Sequence, residues 1–304
     1  MTIRTASQIG IQKVVDNAAK LGVGSYDPYL SIALGAGDTT VLKLVNSYAI
    51  LANHGREVKP TLIDYVQDRN GKLIYRTDNR CQVMEGCNAP DWNGRAMPRP
   101  PSRSKQLLDP QAAYQMVHIM EGVVERGTAT VLRSLDRPLF GKTGTTSGPT
   151  NVWFVGGTPD VVAGVYLGYD QPRSMGGYAQ GGRIAAPVFK QFAENALKDM
   201  PKTPFVAAPG IRMVRIDRIT GRRVYGTFPT TVDRKSAVIW EAFQPETEPR
   251  RSFRRSAELA AARVEQASKP ASRPPAARPA PRDPLAPRPP ADSGEFLQNQ
   301  GGIY

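Results

Sequence analysis

The run Phe140-Gly141-Lys142-Thr143-Gly144-Thr145-Thr146 concentrates one cation, three hydroxyls and two glycines within seven residues. Gly141-Lys142-Thr143 could serve a phosphate-binding loop, but that motif needs a glycine five residues before Gly141, and Asp136 stands there. The local pattern is also that of a strand continuing through the lysine, not of a helix starting at it. On a strand that flanks a cleft, the same residues suit an extended peptide added alongside. Lys142 offers a positive charge to a substrate carboxylate and to nearby proton transfers. Thr143 and Thr145 share one side and can hydrogen-bond that carboxylate, while Gly144 between them admits a close backbone. The Thr145 N–H can stabilise an oxyanion, a donor whose loss costs roughly 3 kcal/mol of transition-state stabilisation. Thr146 completes the expected binding set.

The elements that would carry this run are legible as an α+β pattern, mixed helices packed on an antiparallel sheet. Residues 139–146, 152–157 and 161–169 read as three strands, with Thr158-Pro159-Asp160 as the tight link between the last two. Residues 7–21 read as one amphipathic helix with Ile11, Val14, Val15 and Ala18 on a common face, stopped by Gly22. A second helix spans residues 41–52, capped by Thr39 or Thr40 and ended at Asn53-His54-Gly55. Residues 58–66 look strand-like, and Arg69-Asn70-Gly71-Lys72 is a hairpin turn. Asp109-Pro110 opens a third helix to Glu125, with Ala113, Met116, Val117, Met120, Val123 and Val124 inward. Gly127-Thr128 should end it and cap a short helix through Leu135. A last helix starts at Ala186-Pro187, and residues 211–224 alternate like two strands around Thr220-Gly221.

Composition bounds the rest. The 304 residues carry a net charge of +13, which suits nucleic acid, anionic lipid or an acidic polymer and speaks of partners, not of fold. From Arg250 onward there are ten Arg and Lys against five Asp and Glu, so part of the surplus belongs to a tail. No run of eighteen apolar residues occurs, and the first residues lack the apolar core of a signal peptide. Cys81 and Cys87 have the wrong spacing for a redox pair and no histidine pair for zinc, so they read as loop cysteines, joined only in an oxidising compartment. His54 and His118 read as structural or solvent-facing, with no serine or carboxylate partner at a telling spacing. Trp153 and Phe154 read as core on one face, with room for one of them to line a cleft. No metal site and no cofactor are expected.

Beyond the Lys-Thr-Gly run, several segments resemble the transpeptidase domain of class A penicillin-binding proteins. They are Leu34-Gly35-Ala36-Gly37-Asp38-Thr39-Thr40, Gly156-Gly157-Thr158-Pro159-Asp160, Val165-Tyr166-Leu167-Gly168-Tyr169-Asp170 and Ala185-Ala186-Pro187-Val188-Phe189. Val214-Arg215-Ile216-Asp217-Arg218-Ile219-Thr220-Gly221 and Glu241-Ala242-Phe243-Gln244-Pro245-Glu246 resemble the extension of type 1A members. The resemblance implies a penicillin-binding protein/β-lactamase-like fold and serine acyl-transfer on D-Ala-D-Ala stem peptides of peptidoglycan. Lys142 would then be the catalytic-site cation and Thr143, Gly144, Thr145 and Thr146 the substrate-binding residues. β-Lactams would compete, and nucleic acid would not bind.

The same resemblance divides the chain. Residues 1–200 would be the C-terminal part of the transpeptidase domain, with residues 76–106 a surface insertion. Residues 201–245 would form a small β-rich extension, and residues 246–304 a disordered Pro/Ala/Arg-rich tail. The family also requires Ser-x-x-Lys and Ser-x-Asn. No Ser-x-Asn occurs, and the one Ser-x-x-Lys, Ser102-Arg103-Ser104-Lys105, lies in the insertion, outside the expected helical context. The expectation is therefore an incomplete domain that begins after Ser-x-Asn and is inactive alone. Its parent would carry a glycosyltransferase domain and one membrane anchor and act at the periplasmic face of the inner membrane. There Cys81 and Cys87 would form a disulfide. The alternative is a non-catalytic module that binds peptidoglycan peptide or a partner.

Overall fold

A computed structural model describes residues 1–80, 102–226 and 236–249. Cys81 and Cys87, most of the expected insertion and nearly all of the expected tail fall outside these residues. The order of elements is α1 (Thr2–Ile9), α2 (Ile11–Lys20), α3 (Val41–Ala52), β1 (Tyr65–Gln67), β2 (Leu73–Arg76), α4 (Pro110–Glu125), β3 (Phe140–Thr145), β4 (Asn151–Gly157), β5 (Val162–Gly168), α5 (Ala185–Ala196), β6 (Arg212–Asp217) and β7 (Val238–Phe243). The fold class is the expected mixture of helices and antiparallel sheets.

The centre is the antiparallel meander β3-β4-β5, in register from Phe140↔Gly157 to Thr145↔Val152 and from Asn151↔Gly168 to Gly157↔Val162. Side chains alternate across it. One face carries Phe140, Val155 and Val162 and packs under α3 and α4. There Phe140 is fully buried, meets Tyr48 of α3 at 5.9 Å and Phe205 edge-on at 5.3 Å, and clusters with Val117 and Met120 of α4. Burial in this layer pushes the Tyr48 hydroxyl up to about 12. The opposite face carries Val152 and Phe154, with Phe154 against Phe189 of α5 at 4.7 Å. Burying each such aromatic side chain removes a large apolar area from water, about 3 kcal/mol apiece.

Helix boundaries follow local chemistry. Thr40 caps α3 by accepting from the Lys43 N–H at 3.2 Å, and Asp109 caps α4 by accepting from the Ala112 N–H at 2.9 Å. His54 and Gly55 take φ values of 53° and 76° and end the run after α3. Residues 7–21, expected as one helix, are divided between α1 and α2 because Gly10 adopts φ 88°, a conformation open to glycine and closed to a continuing helix. The apolar set Ile11, Val14, Val15 and Ala18 nevertheless faces inward, Val15 most deeply.

Four other expectations are corrected. Strand pairing near residues 58–66 is confined to Tyr65–Gln67, where the hairpin built on Asp68 and Gly71 can reach. In α4, Met116 is exposed and Tyr114 is buried instead. Thr128 does not cap the 3-10 helix Thr130–Leu135, whose N-terminal flank is Ala129 without a side-chain cap. Residues 211–224 are not a self-contained hairpin: β6 pairs with β7 from Arg212↔Phe243 to Asp217↔Val238, and only an isolated bridge joins Ile216 to Arg223.

The β6–β7 ribbon rests on α4. Tyr114, Ala208 and Ala242 form a small apolar cluster there. Around it, Gln111 donates to the Pro209 carbonyl at 2.7 Å, Gln115 to the Ala242 carbonyl at 2.8 Å, and Gln244 to Asp109 at 3.3 Å. His118 sits between its own helix and the ribbon, with Nδ1 3.2 Å from Glu121 Oε2 and Nε2 3.1 Å from the Trp240 carbonyl. It thus has the carboxylate partner that its sequence neighbourhood did not suggest, one helical turn on.

Candidate active-site strand

Among the described residues β3 is an edge of its sheet, with β4 on one side only. The Thr146 N–H donates to the Asn151 carbonyl at 3.3 Å. Because hydrogen-bonding direction alternates along an antiparallel strand, Gly144 and Lys142 also turn their backbone groups to β4, and Thr145 and Thr143 turn theirs away, to the outer edge. The Thr145 N–H therefore faces the outer edge of the sheet.

Side chains sort the other way. Lys142 and Gly144 lie on the α3 face, where Gly144 is paired with Trp153 and the Trp153 ring meets Tyr166 at 4.5 Å. Trp153 is half-buried beside the strand, whereas Phe154 is core. Lys142 is exposed as a residue, but its ammonium folds back to donate to the Thr143 carbonyl at 3.0 Å, at the outer edge. Partial withdrawal of that ammonium from water holds its pKa below the usual lysine range.

Thr143 and Thr145 share the opposite face, as their spacing requires. The Thr143 hydroxyl is 2.7 Å from the Thr128 hydroxyl, and the Thr145 hydroxyl accepts from the Gly181 N–H at 3.0 Å. Gly181 lies so close to the sheet that a Cβ there would stand 2.5 Å from the Trp153 carbonyl oxygen and 2.7 Å from that of Gly144. Thr146 is used differently. Its hydroxyl accepts from the N–H groups of Thr150 and Asn151 at 3.0 and 3.1 Å and so closes the turn into β4.

The five expected site residues are thus consecutive along one open edge, and Thr128 and Gly181 join them from distant segments. Neither was legible beforehand: Thr128 read as a cap, and Gly181 was not singled out. Ser102 is exposed elsewhere, in a segment whose Lys105 carbonyl accepts from the Glu57 N–H just beyond α3. No group of three or more His, Cys, Asp or Glu side chains that could hold a metal ion occurs among the described residues. No helix among them is long and apolar enough to cross a membrane.

Comparison with known proteins places this geometry. The family model of the penicillin-binding protein transpeptidase domain matches residues 4–194, more than half of the chain. The chain is 35% identical over 229 residues to penicillin-binding protein 1A of Rickettsia typhi, covering 74% of this chain and 29% of that protein. It is 38% identical over 201 residues to penicillin-binding protein 1A of Neisseria meningitidis serogroup B, covering 65% and 23%. It thus spans less than a third of the length of these curated relatives. The crystal structure of penicillin-binding protein 1A from Haemophilus influenzae superposes with a TM-score of 0.66 at 22% identity, over 83% of this chain and 39% of that one. PonA1 of Mycobacterium tuberculosis, in complex with penicillin V, gives a TM-score of 0.51 at 23% identity, over 65% and 52%. From the matched family model, the chain belongs to the penicillin-binding protein transpeptidase family.

Proposed function

We propose that β3 is the substrate strand of a D,D-transpeptidase that cross-links peptidoglycan stem peptides ending in D-Ala-D-Ala, and that β-lactams occupy the same strand. The observation that carries this reading is the outer edge of β3, where the Thr145 N–H and the Lys142 ammonium lie on the side away from β4. A stem peptide would extend along this edge. Its terminal carboxylate would meet Lys142 and the hydroxyls of Thr143 and Thr145. Gly144 would let its backbone approach, and the Thr145 N–H would receive the oxyanion. Thr146 would hold the strand end by closing the turn. The PonA1 relative was solved with penicillin V bound, which supports a β-lactam as competitor.

In this mechanism a serine hydroxyl attacks the D-Ala-D-Ala carbonyl, terminal D-Ala leaves with the proton, and an amine acceptor then displaces the serine. The residues gathered on β3 are assigned to binding and polarisation, not to attack. Ser102, in the one Ser-x-x-Lys present, is exposed, in the segment whose Lys105 carbonyl accepts from the Glu57 N–H, and the sequence has no Ser-x-Asn. The chain alone is therefore proposed to bind without being acylated, with residues 201–245 as an extension docked on α4. The site of action would be the periplasmic face of the inner membrane.

Fluorescent penicillin tests this reading. The isolated chain should take no covalent label, whereas a protein joining it to the N-terminal part of a penicillin-binding protein 1A should be labelled. Label on the isolated chain that Ser102→Ala abolishes would place the nucleophile within it. An unlabelled, folded joined protein would remove the transpeptidase assignment.

A further inference from the structure

We propose that Thr128 is a positioning residue for the substrate strand: it donates to the Thr143 hydroxyl and so leaves the Thr143 proton free for a substrate carboxylate. This inference rests on the reading of β3 as that strand. A threonine hydroxyl has one proton and two lone pairs. The Thr128 and Thr143 oxygens, 2.7 Å apart, share one proton between them, so one donates and the other accepts. A carboxylate can only accept. When it meets Thr143, the Thr143 proton must go to it, and Thr128 must supply the proton shared between the two hydroxyls. The resulting chain Thr128–Thr143–carboxylate is polarised in one direction, which strengthens each link.

The neighbouring threonine is set by the same logic. The Gly181 N–H can only donate, and it points at the Thr145 oxygen at 3.0 Å. The Thr145 proton is thereby also left for an anion. Two hydroxyls on one face of β3 are arranged as donors by two partners that are remote in sequence.

Thr128 is itself fixed by backbone, not by packing of its side chain. The next residue, Ala129, is fully buried and its N–H donates to the Val123 carbonyl at 3.1 Å. Gly182 lies against the Thr128 carbonyl, where a Cβ would come within 2.1 Å of the oxygen. The Thr128 side chain is exposed, so a change there leaves the core untouched.

The isolated chain suffices for the test, because the proposed carboxylate contacts all lie within it. Isotope-labelled protein is titrated with N-acetyl-D-alanyl-D-alanine and with the C-terminal amide of the same dipeptide, following the Thr143 and Thr145 amide signals. The acid should produce saturable shifts and the amide should not. Thr128→Val, which keeps shape and removes the hydroxyl, should weaken binding of the acid about tenfold, the effect of losing one charge-linked hydrogen bond. Thr128→Ser should restore it. Acid binding within twofold of wild type in Thr128→Val, alongside its loss in Thr143→Val, would overturn the role of Thr128 and leave the substrate strand intact. Equal weakening by Ser and Val would also overturn it, since the hydroxyl would not be the cause. Absence of any acid-dependent shift in the wild type would remove the substrate-strand reading and this inference with it.

Discussion

Raising the pH should loosen the β6–β7 ribbon from α4, with His118 as the group responsible. Both acceptors around the ring, Glu121 Oε2 at 3.2 Å and the Trp240 carbonyl at 3.1 Å, demand a donor, and only the imidazolium donates from both nitrogens. Burial pulls the His118 pKa down. The bonds to Glu121 and Trp240, together with the Glu241 and Glu121 charges, outweigh burial and leave it raised. The Tyr114 ring stacked at 6.1 Å completes the surroundings. A raised folded-state pKa means that this stabilisation is complete below the unfolded value of about 6.5 and is lost as the pH rises through the folded value. His118→Ala removes two hydrogen bonds from a charged donor, about 2 kcal/mol after water reaches the freed carbonyl. The assay is native-state hydrogen exchange of the β6 and β7 amides, corrected for intrinsic rates, at about pH 5.5 and about pH 8.5, on either side of the unfolded pKa. The variant should lower protection strongly at the acid value and little at the alkaline one. An equal loss at both, or a His118 titration midpoint at or below the unfolded value, would refute the reasoning.

Three further outcomes are expected. Phe154→Ala, emptying a fully buried position between the sheet and α5, should cost about 3–5 kcal/mol in urea denaturation. Asp109→Ala removes the α4 cap and the acceptor for Gln244, and should cost about 1–2 kcal/mol with most of the lost protection in the first turn of α4. In the joined protein, Lys142→Ala should slow penicillin acylation about a hundredfold with an unchanged unfolding midpoint, and Lys142→Arg should do so less, since the charge survives in a different shape.

The parts of the fold that sequence made legible are those set by near neighbours. The α3 and α4 starts depend on Thr40 and Asp109 bonding N–H groups three residues on, and the β3-β4-β5 meander depends on short links such as Thr158-Pro159-Asp160. The run Lys142 to Thr146, proposed as the substrate strand, is consecutive in sequence and stood out as a unit for the same reason. Gly10 was not, because apolar periodicity runs on through a glycine whether or not the helix does. Thr128 and Gly181 reach β3 across 15 and 36 residues, and nothing local marks either contact.

The misreading of α4 has a more general cause. Its apolar stripe, Ala113, Val117, Met120 and Val124, faces the sheet as periodicity requires. A second face carries Gln111, Tyr114, Gln115 and His118, which the apolar period does not single out. That face is covered by β7 and the chain before β6, whose carbonyl groups at Pro209, Trp240 and Ala242 take hydrogen bonds from the two glutamines and the histidine. A ribbon edge presents acceptors every second residue, so a helix that is to hold it needs donors at matching intervals, not another apolar stripe. Tyr114 alone supplies the apolar contact, which is why it is buried and Met116, on neither face, is exposed. The polar stripe is therefore a docking surface whose hydrogen-bond partners lie 98 to 127 residues away. His118, its imidazole member, makes the strength of that docking depend on pH.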